Sequence, residues 1–260
     1  MKKYVFTLLT LFFLSACGSK DNPEDSPVLP GTIESGAVNS EYLGMGMRYT
    51  VWLPAGYDAS KSYPFLYLLH GMGDDEQSWN TKGGAGKIAD RYIHKGGVPM
   101  VIIMPDAKVS WYIGDYLPDK GVFTYESYFH EELMPKVEAD YHCNGKRAVA
   151  GLSMGGYGTL YYALKYPKKF TYGYSMSPAT DLDGFQGIIN EQADKNVFPP
   201  LTLESGTKDL TISISSVRAC ADMLASNGLE VTFIERSGGH DWGFWPVCLE
   251  KALVKVAETF

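Results

Sequence analysis

Residues 151–155 have the order Gly-Leu-Ser-Met-Gly, which fits the Gly-x-Ser-x-Gly pattern of a nucleophile elbow. At such an elbow a strand turns sharply into a helix, so the serine takes strained backbone angles that expose its hydroxyl, and side chains at the two glycine positions would clash. Here the pattern follows an apolar stretch at residues 147–152 and precedes a helix-like stretch at residues 155–166. This context predicts Ser153 as a nucleophile.

A serine hydroxyl is a poor nucleophile at neutral pH and needs a base beside it. His240 lies in the glycine-rich sequence Ser-Gly-Gly-His-Asp-Trp, directly after the last predicted strand. A loop at that position can bring the imidazole beside Ser153, so His240 is predicted to be the base. His70 closes an apolar strand and is predicted to shape the loop that follows it. The other histidines are predicted to lie on the solvated surface: His94, His130 and His142.

An acid must orient the base, and in chains with this type of elbow it lies between the serine and the histidine. Asp209 follows a predicted strand and the turn Gly-Thr-Lys, just before a helix-like stretch. It is therefore favoured over Asp181 and Asp183, which lie in the loop after the preceding strand. Asp241 is adjacent to His240 and cannot easily reach around to support its ring nitrogen.

Acyl transfer also needs donors for the negative charge of a tetrahedral intermediate. One is predicted to be the backbone N–H of Met154, the residue after the nucleophile. The second is predicted to come from the loop His-Gly-Met-Gly after the third strand, from either Gly71 or Met72. Three aromatic residues are candidates for the walls of a substrate site, with packing in the core as the alternative: Trp79, Trp111 and Tyr112.

The segments that carry these residues alternate between strand-like and helix-like patterns. Strands are predicted at residues 47–53, 65–69, 98–104, 147–152, 170–176, 201–205 and 229–235, and helices at residues 129–141, 155–166, 211–226 and 244–259. Continuous apolar runs such as residues 65–69 are typical of strands buried on both faces of a largely parallel sheet. We therefore predict an α/β fold, with a mostly parallel central sheet flanked by helices. The site is expected at the carboxyl ends of the strands.

Composition limits the classes of partner. The 260 residues are 45% hydrophobic and 20% charged, which is ordinary for a globular protein. The formal net charge is −7 and Lys and Arg do not cluster, so no nucleic-acid partner is predicted. The amino-acid composition shows no break from about residue 31 onward, which predicts a single domain over residues 31–260.

The first 17 residues predict an exported lipoprotein. A short basic start is followed by an apolar run that is too short to span a bilayer but suits a signal peptide. The run ends in Leu-Ser-Ala-Cys, which resembles a bacterial lipobox with Cys17 as the lipidated residue; an ordinary secretory signal is the alternative. Residues 18–30 are polar and proline-rich and predict a linker. The expected location is outside the cytoplasm, anchored to the outer membrane through the lipid.

Three further cysteines follow Cys17: Cys143, Cys220 and Cys248. A disulfide between Cys220 and Cys248 is predicted, because both lie on late helices that can be neighbours; buried free thiols are the alternative. No Cys-x-x-Cys or Cys/His spacing indicates a metal site.

Four ordered motifs resemble those of one enzyme family. They are Leu-Leu-His-Gly at residues 68–71, Gly-Leu-Ser-Met-Gly-Gly at residues 151–156, Gly-Thr-Lys-Asp at residues 206–209 and Gly-His-Asp-Trp at residues 239–242. Together they resemble the esterase D group of the α/β-hydrolase fold. Within it they are most similar to the feruloyl and acetylxylan esterases of carbohydrate esterase family one, over residue 38 to the end.

The resemblance implies a serine esterase that needs no cofactor and releases hydroxycinnamic or acetyl groups from plant-wall polysaccharide. A general carboxylesterase, a small peptidase and a siderophore-type esterase are alternatives within enzymes. A lipoprotein that binds glycans without catalysis is the alternative outside them. Cytosolic S-formylglutathione hydrolases share the motifs, but an exported protein would not meet their substrate.

Overall fold

The computed structural model describes residues 26–192, 194 and 197–260. The predicted signal peptide, Cys17 and residues 18–25 of the predicted linker lie outside the described residues. No helix within the described part of the chain combines the length and apolar character needed to cross a membrane.

A mixed sheet of eight strands forms the centre of the described structure. In chain order the strands are β1 (Thr32–Ser40), β2 (Met45–Leu53), β3 (Tyr63–Leu69), β4 (Val101–Pro105), β5 (Tyr116–Leu117), β6 (Val122–Phe123), β7 (Cys143–Leu152), β8 (Tyr172–Met176), β9 (Leu201–Gly206) and β10 (Val231–Arg236). β5 and β6 form a separate antiparallel hairpin. The predicted strands are all present, with ends that differ by a few residues.

The strand order in the sheet is β1-β2-β4-β3-β7-β8-β9-β10. β1 pairs antiparallel with β2, and β2 pairs antiparallel with β4, whereas all later neighbours are parallel. The prediction of a mostly parallel sheet is confirmed. Because parallel strands end at the same edge, the loops after β3, β7, β9 and β10 meet there.

Helices flank the sheet. In chain order they are α1 (Ser78–Thr81), α2 (Ala85–His94), α3 (Thr124–Ser127), a π-helical segment (Tyr128–Leu133), α4 (Met134–Asp140), α5 (Met154–Lys165), α6 (Leu182–Glu191), α7 (Ile214–Ser226) and α8 (Trp245–Ala257). The helix predicted at residues 129–141 is therefore not continuous. Pro135 lies in the first turn of α4 and has no N–H to donate, so a regular helix restarts at this point.

β3 shows how the sheet is buried on both faces. Phe65, Tyr67 and Leu69 pack with residues of α4 to α7, whereas Leu66 and Leu68 pack with residues of α2 and α8. Successive side chains of a strand point to opposite faces, so a strand covered on both sides is apolar at every position. This burial explains the unbroken apolar run in the sequence.

The predicted disulfide is wrong. Cys220 packs in the core on the α7 side of the sheet and Cys248 packs in the core on the α8 side, so the sheet separates them. Both are free thiols, and burial raises the pKa of each to about 12. The alternative of buried free cysteines is what the structure contains.

The histidines differ from prediction at one position. His142 is exposed and His94 is half-buried, but His130 is buried among aromatic rings, with its ring centroid 4.1 Å from that of Tyr166. Burial, assisted by Lys169 and Lys165, lowers the pKa of His130 to about 2. The prediction of a solvated His130 is wrong because this helical segment turns its histidine toward the core.

Candidate active site

Ser153 lies between the end of β7 and the start of α5, with φ 55° and ψ −115°. A residue in such a sparsely populated region costs of order 1–3 kcal/mol and persists only where its surroundings hold it. The Ser153 N–H donates to the Met176 carbonyl at 2.9 Å. A Cβ at Gly151 would lie 2.4 Å from the Gly155 carbonyl oxygen, and one at Gly155 would lie 2.5 Å from that of Leu69. The flanking glycines are required by this close approach.

The structure brings together the three side chains that the sequence predicts as a triad. His240 Nε2 lies 2.9 Å from Ser153 Oγ, and His240 Nδ1 lies 2.7 Å from Asp209 Oδ2. The histidine side chain is 13% exposed, whereas that of Asp209 is fully buried. Both distances are within the reach needed for proton transfer.

The hydrogen bonds of Asp209 determine which histidine nitrogen carries the proton. Asp209 Oδ1 accepts the backbone N–H groups of Thr211 at 2.9 Å and Ile212 at 2.7 Å, so Oδ2 is left for His240. An ionised carboxylate only accepts hydrogen bonds, so His240 Nδ1 must be the donor. His240 Nε2 is then unprotonated and faces the Ser153 hydroxyl as an acceptor.

The rival acids have other roles. Asp181 is the N-cap of α6 and accepts the Gly184 N–H at 3.0 Å. Asp183 is exposed in the first turn of the same helix. Asp241 accepts the Gly243 N–H at 2.8 Å, within its own loop. Of the four candidates, only Asp209 reaches the imidazole.

We call residues 237–244, which carry His240 between β10 and α8, the base loop. This loop packs directly on the turn that carries Asp209. The Lys208 N–H donates to the Gly238 carbonyl at 2.9 Å, and a Cβ at Gly206 would lie 2.3 Å from that same oxygen. The ring of Trp245 stands perpendicular to that of His240, with centroids 5.1 Å apart. Asp209 and His240 are therefore held on two segments that contact each other.

The first predicted oxyanion donor is in place. Met154 is the first residue of α5, so its N–H has no acceptor within the helix. This N–H makes no hydrogen bond to any residue that the structure describes. The second predicted donor loop lies against the nucleophile, since a Cβ at Gly71 would lie 3.5 Å from the Ser153 Cβ.

His70 fixes the orientation of that loop, as the sequence predicts. The Ala107 N–H donates to His70 Nε2 at 2.8 Å, so Nδ1 carries the ring proton and donates to the Gly71 carbonyl at 2.7 Å. Burial lowers the pKa of His70 and keeps its ring neutral. The Gly71 carbonyl and the Met72 N–H belong to one trans peptide group and point in opposite directions. Fixing the carbonyl therefore also fixes the Met72 N–H.

With this geometry established, comparison with known proteins decides the family. The Esterase family model, described as "Putative esterase", matches residues 40–215, more than half of the chain. The chain belongs to this esterase family.

Relatives of this esterase share its fold over most of the chain. A solved ferulic acid esterase is 27% identical and superposes with a TM-score of 0.77, covering 89% of this chain and all of that one. An endo-1,4-beta-xylanase/feruloyl esterase of Xylanibacter ruminicola is 28% identical over 234 residues, which cover 85% of this chain and 31% of that protein. An acetyl esterase of Caldicellulosiruptor saccharolyticus is 26% identical, over 72% of this chain and 80% of that protein.

These matches confirm the resemblance to esterases close to carbohydrate esterase family one, and with it the α/β-hydrolase fold. They support the prediction of a carboxylic ester hydrolase. The esterase spans about a third of the length of the xylanase/feruloyl esterase that it matches, where its coverage is 31%.

The predicted aromatic walls are partly wrong. Trp79 is buried, donates from its ring nitrogen to the Leu69 carbonyl at 2.9 Å and packs on Trp242. Tyr112 is buried as well, and its hydroxyl donates to the His70 carbonyl at 2.9 Å. Both support the strand ends from behind and present no surface to a substrate, because their rings fill the core.

Trp111 is accessible, unlike the adjacent Tyr112. Its side chain is 38% exposed, and its ring stands perpendicular to that of Tyr157, with centroids 5.6 Å apart. Tyr157 is one helical turn after Ser153 in α5, and its N–H donates to the Ser153 carbonyl. Trp111 is thus the one member of the predicted set that offers an accessible ring close to the nucleophile's helix.

Sequence reasoning missed the apolar side chains around this edge of the sheet. Leu210 directly follows the acid and is 99% exposed, although leucine usually packs inside. Other large apolar side chains are exposed on the segments that follow β3, β4 and β8: Met72, Val109 and, at the start of α6, Leu182. Their position after strands that end at the edge carrying Ser153 makes them candidates for contacts with a substrate. Their position after predicted strands is the sequence feature that could have identified them.

Proposed function

We propose that this chain hydrolyses carboxylic esters on plant-wall polysaccharide of the xylan type and releases feruloyl or acetyl groups. The observation that carries the proposal is the hydrogen-bonded series Asp209, His240 and Ser153, with the serine on a strained turn. The substrate class is supported by relatives named for feruloyl and acetyl esters.

The proposed reaction is a two-step acyl transfer. His240 Nε2 takes the proton of the Ser153 hydroxyl as Oγ bonds to the ester carbonyl carbon, and Asp209 stabilises the imidazolium. The proton then passes to the leaving alcohol, the sugar C–O group, as its bond to the acyl carbon breaks. In the second step His240 removes a proton from water, which attacks the acyl-enzyme, and the same proton returns to Ser153 as the acid departs.

Two backbone N–H groups are proposed to stabilise the negative charge of the tetrahedral intermediate. They belong to Met154, at the start of α5, and Met72, whose peptide group is oriented by His70. The contacts at Gly71 favour Met72 over Gly71, because His70 holds the Gly71 carbonyl, which shares a peptide group with the Met72 N–H. Each such donor contributes a factor of about 10² to 10³ in rate.

Trp111 and Leu210 are proposed to contact the acyl group. A phenolic acyl group is flat and largely apolar, so an exposed indole and an exposed leucine at the edge of the site suit it better than they suit acetate. This feature favours feruloyl over acetyl esters as the preferred substrate.

Attachment to the outer membrane is proposed from the lipobox-like sequence at Cys17 alone. Phase partition of the full chain in a cloud-point detergent tests it. A lipidated chain enters the detergent phase, and the Cys17→Ser variant stays in the aqueous phase. Equal partition of the two chains would contradict the anchor.

The activity is tested by assaying methyl ferulate, acetylated xylan and an aryl acetate side by side. The proposal expects turnover of the first or second substrate, and loss of all turnover in Ser153→Ala without loss of fold by circular dichroism. Turnover of the aryl acetate alone would indicate a general carboxylesterase. Glycan binding without turnover, and without labelling by a fluorophosphonate, would indicate a non-catalytic glycan-binding protein instead.

A further inference from the structure

We propose that the ion pair between the buried Glu204 and the half-buried Arg236 is the element that positions His240 for catalysis. Arg236 acts as a positioning residue: it closes the base loop, and Glu204 fixes it to the strand that leads to Asp209. This inference rests on the proposed function of the same site.

The register of the sheet brings the pair together. β9 and β10 are parallel, with Gly206 opposite Arg236 and Glu204 opposite Ile234. Side chains two residues apart on a strand share a face, so Glu204 and Arg236 lie diagonally on the same face. Arg236 Nε donates to Glu204 Oε1 at 2.7 Å.

Glu204 is held from three directions. Its side chain is fully buried, and besides Arg236 it accepts Lys251 Nζ at 2.7 Å and the Tyr174 hydroxyl at 2.6 Å. Burial alone would raise the pKa of this carboxyl, but these hydrogen bonds outweigh burial and lower it from its ordinary value. The carboxylate is therefore ionised and connects β8, β9, β10 and α8 at one point.

Arg236 also joins the two ends of the base loop. It is the last residue of β10, immediately before the loop, and its NH2 group donates to the carbonyl of Phe244, the last loop residue, at 2.7 Å. The guanidinium lies over the Phe244 ring, 3.7 Å from its centroid. A planar guanidinium can make these contacts and keep its bond to Glu204, whereas an ammonium is a single point of charge.

Between these ends the loop makes further contacts, including packing of the Trp242 ring on the rings of Trp79 and Trp245. The carbonyl of Gly238 accepts the Lys208 N–H, and Asp241 closes a turn to Gly243 and Phe244. A Cβ at Gly238 would lie 2.2 Å from the Phe244 ring, so the ring that Arg236 covers is also the surface on which the loop packs. His240 lies on this loop, and its side chain reaches the serine and the aspartate.

The experiment compares two matched substitutions, Arg236→Lys and Arg218→Lys. Arg218, on α7, bonds Glu235 in the same strand β10, so this surface Arg–Glu pair controls for the loss of a guanidinium on β10 away from the base loop. Lysine at position 236 retains the charge beside Glu204 but cannot also hold the Phe244 carbonyl. The kcat and KM for an aryl acetate are measured for both variants and the unmodified chain.

For Arg236→Lys we expect kcat to fall about 10- to 100-fold, since small displacements of a catalytic group are this costly, with KM within about twofold. Arg218→Lys should leave both kcat and KM unchanged. A normal kcat in Arg236→Lys, or an equal loss in Arg218→Lys, overturns the inference. If Arg236→Lys does not fold, Glu204→Gln carries the same comparison, because it removes the charge that holds Arg236 and keeps the size of the side chain.

Assay of the unmodified chain distinguishes failure of the proposed function from failure of this inference. If that chain shows no turnover dependent on Ser153, the function is wrong, and the inference is judged by NMR instead. The His240 Nδ1 proton, assigned by its loss in His240→Gln, is expected to shift in Arg236→Lys and not in Arg218→Lys. An unshifted resonance in Arg236→Lys overturns the inference by this measurement.

Discussion

The Asp209 carboxylate binds the His240 ring with one oxygen and the backbone of its own turn with the other. Because each oxygen has its own partner, the carboxylate has a single orientation, and the histidine therefore has a single tautomer. The consequence is directly testable by substitution of the acid.

Asp209→Asn should lower kcat by about 10⁴, the magnitude known for the corresponding change in other serine hydrolases with this triad. An amide that keeps its oxygen on the Thr211 and Ile212 N–H groups must turn its NH2 toward His240 Nδ1. The ring proton then moves to Nε2, which can no longer accept from Ser153. The measurement is kcat on an aryl acetate, with circular dichroism to show an intact fold. Asp241→Asn is the control, and an equal loss there would contradict the assignment.

Gly155→Ala should destabilise the fold by about 1–3 kcal/mol, the ordinary cost of overpacking. The new Cβ would lie 2.5 Å from the Leu69 carbonyl oxygen and 2.6 Å from that of His70, both of which are backbone atoms. The matched control is Gly187→Ala in α6, where a Cβ meets nothing within 4 Å. It should stabilise by about 0.5–1 kcal/mol, because alanine favours helix over glycine. Urea unfolding measures both, and similar values for the two variants would contradict the crowding argument.

His70→Phe should lower kcat by about 10²-fold, the contribution of one oxyanion donor, since the ring would no longer orient the peptide group of Met72. His70→Gln should lose much less, because a glutamine amide can both donate to the Gly71 carbonyl and accept the Ala107 N–H. Steady-state kinetics on the same ester measures the two. A larger loss in His70→Gln than in His70→Phe would show that the ring acts by packing alone.

The buried His130 should make the fold less stable in mild acid. Its pKa is about 2 in the folded chain against 6.5 for an unperturbed histidine, so below pH 6.5 the unfolded chain binds a proton that the folded chain does not. The resulting loss approaches about 1.4 kcal/mol per pH unit as pH falls below 6.5. Urea unfolding of His130→Phe at pH 7 and pH 5 should show a smaller loss than the unmodified chain. His142→Gln, at an exposed position, should behave like the unmodified chain; an unchanged acid loss in His130→Phe would contradict the prediction.

Trp111→Ala should raise KM for methyl ferulate about tenfold while changing that for an aryl acetate little, because a lost stacking contact of about 1–1.5 kcal/mol affects only the larger acyl group. Steady-state kinetics on both esters measures it. Trp79→Phe, at a buried position, is the control for general disturbance of the aromatic core. Equal effects of Trp111→Ala on both esters would show that the indole does not contact the acyl group.

The elbow, the triad and the parallel strands were predictable because each follows from local pattern. A Gly-x-Ser-x-Gly turn needs its glycines, and strands covered on both faces are continuously apolar. β1 was not predicted because it is a largely exposed edge strand that is rich in polar residues. α6 was missed for a related reason, since Gly184 and Gly187 weaken its helical signal.

The direction in which a side chain or a helix faces could not be predicted from residue type. Trp79 and Trp111 are both aromatic and both follow strands, yet one faces the core and the other is exposed. The side of the sheet on which Cys220 and Cys248 lie depends on the packing of two helices, and that packing decided against a disulfide. The pairing of Glu204 with Arg236 required the register of β9 and β10.

The distribution of thiols has a practical consequence. Cys220 and Cys248 are buried and protonated, whereas Cys143 is half-buried at the start of β7. β7 runs ten residues from Cys143 to Leu152, so this third thiol lies about 30 Å from the nucleophile, at the opposite edge of the sheet. A variant that begins at residue 26 lacks Cys17. In that variant a maleimide would react first with Cys143. Immobilisation through Cys143 would leave the edge of the sheet that carries Ser153 facing outward.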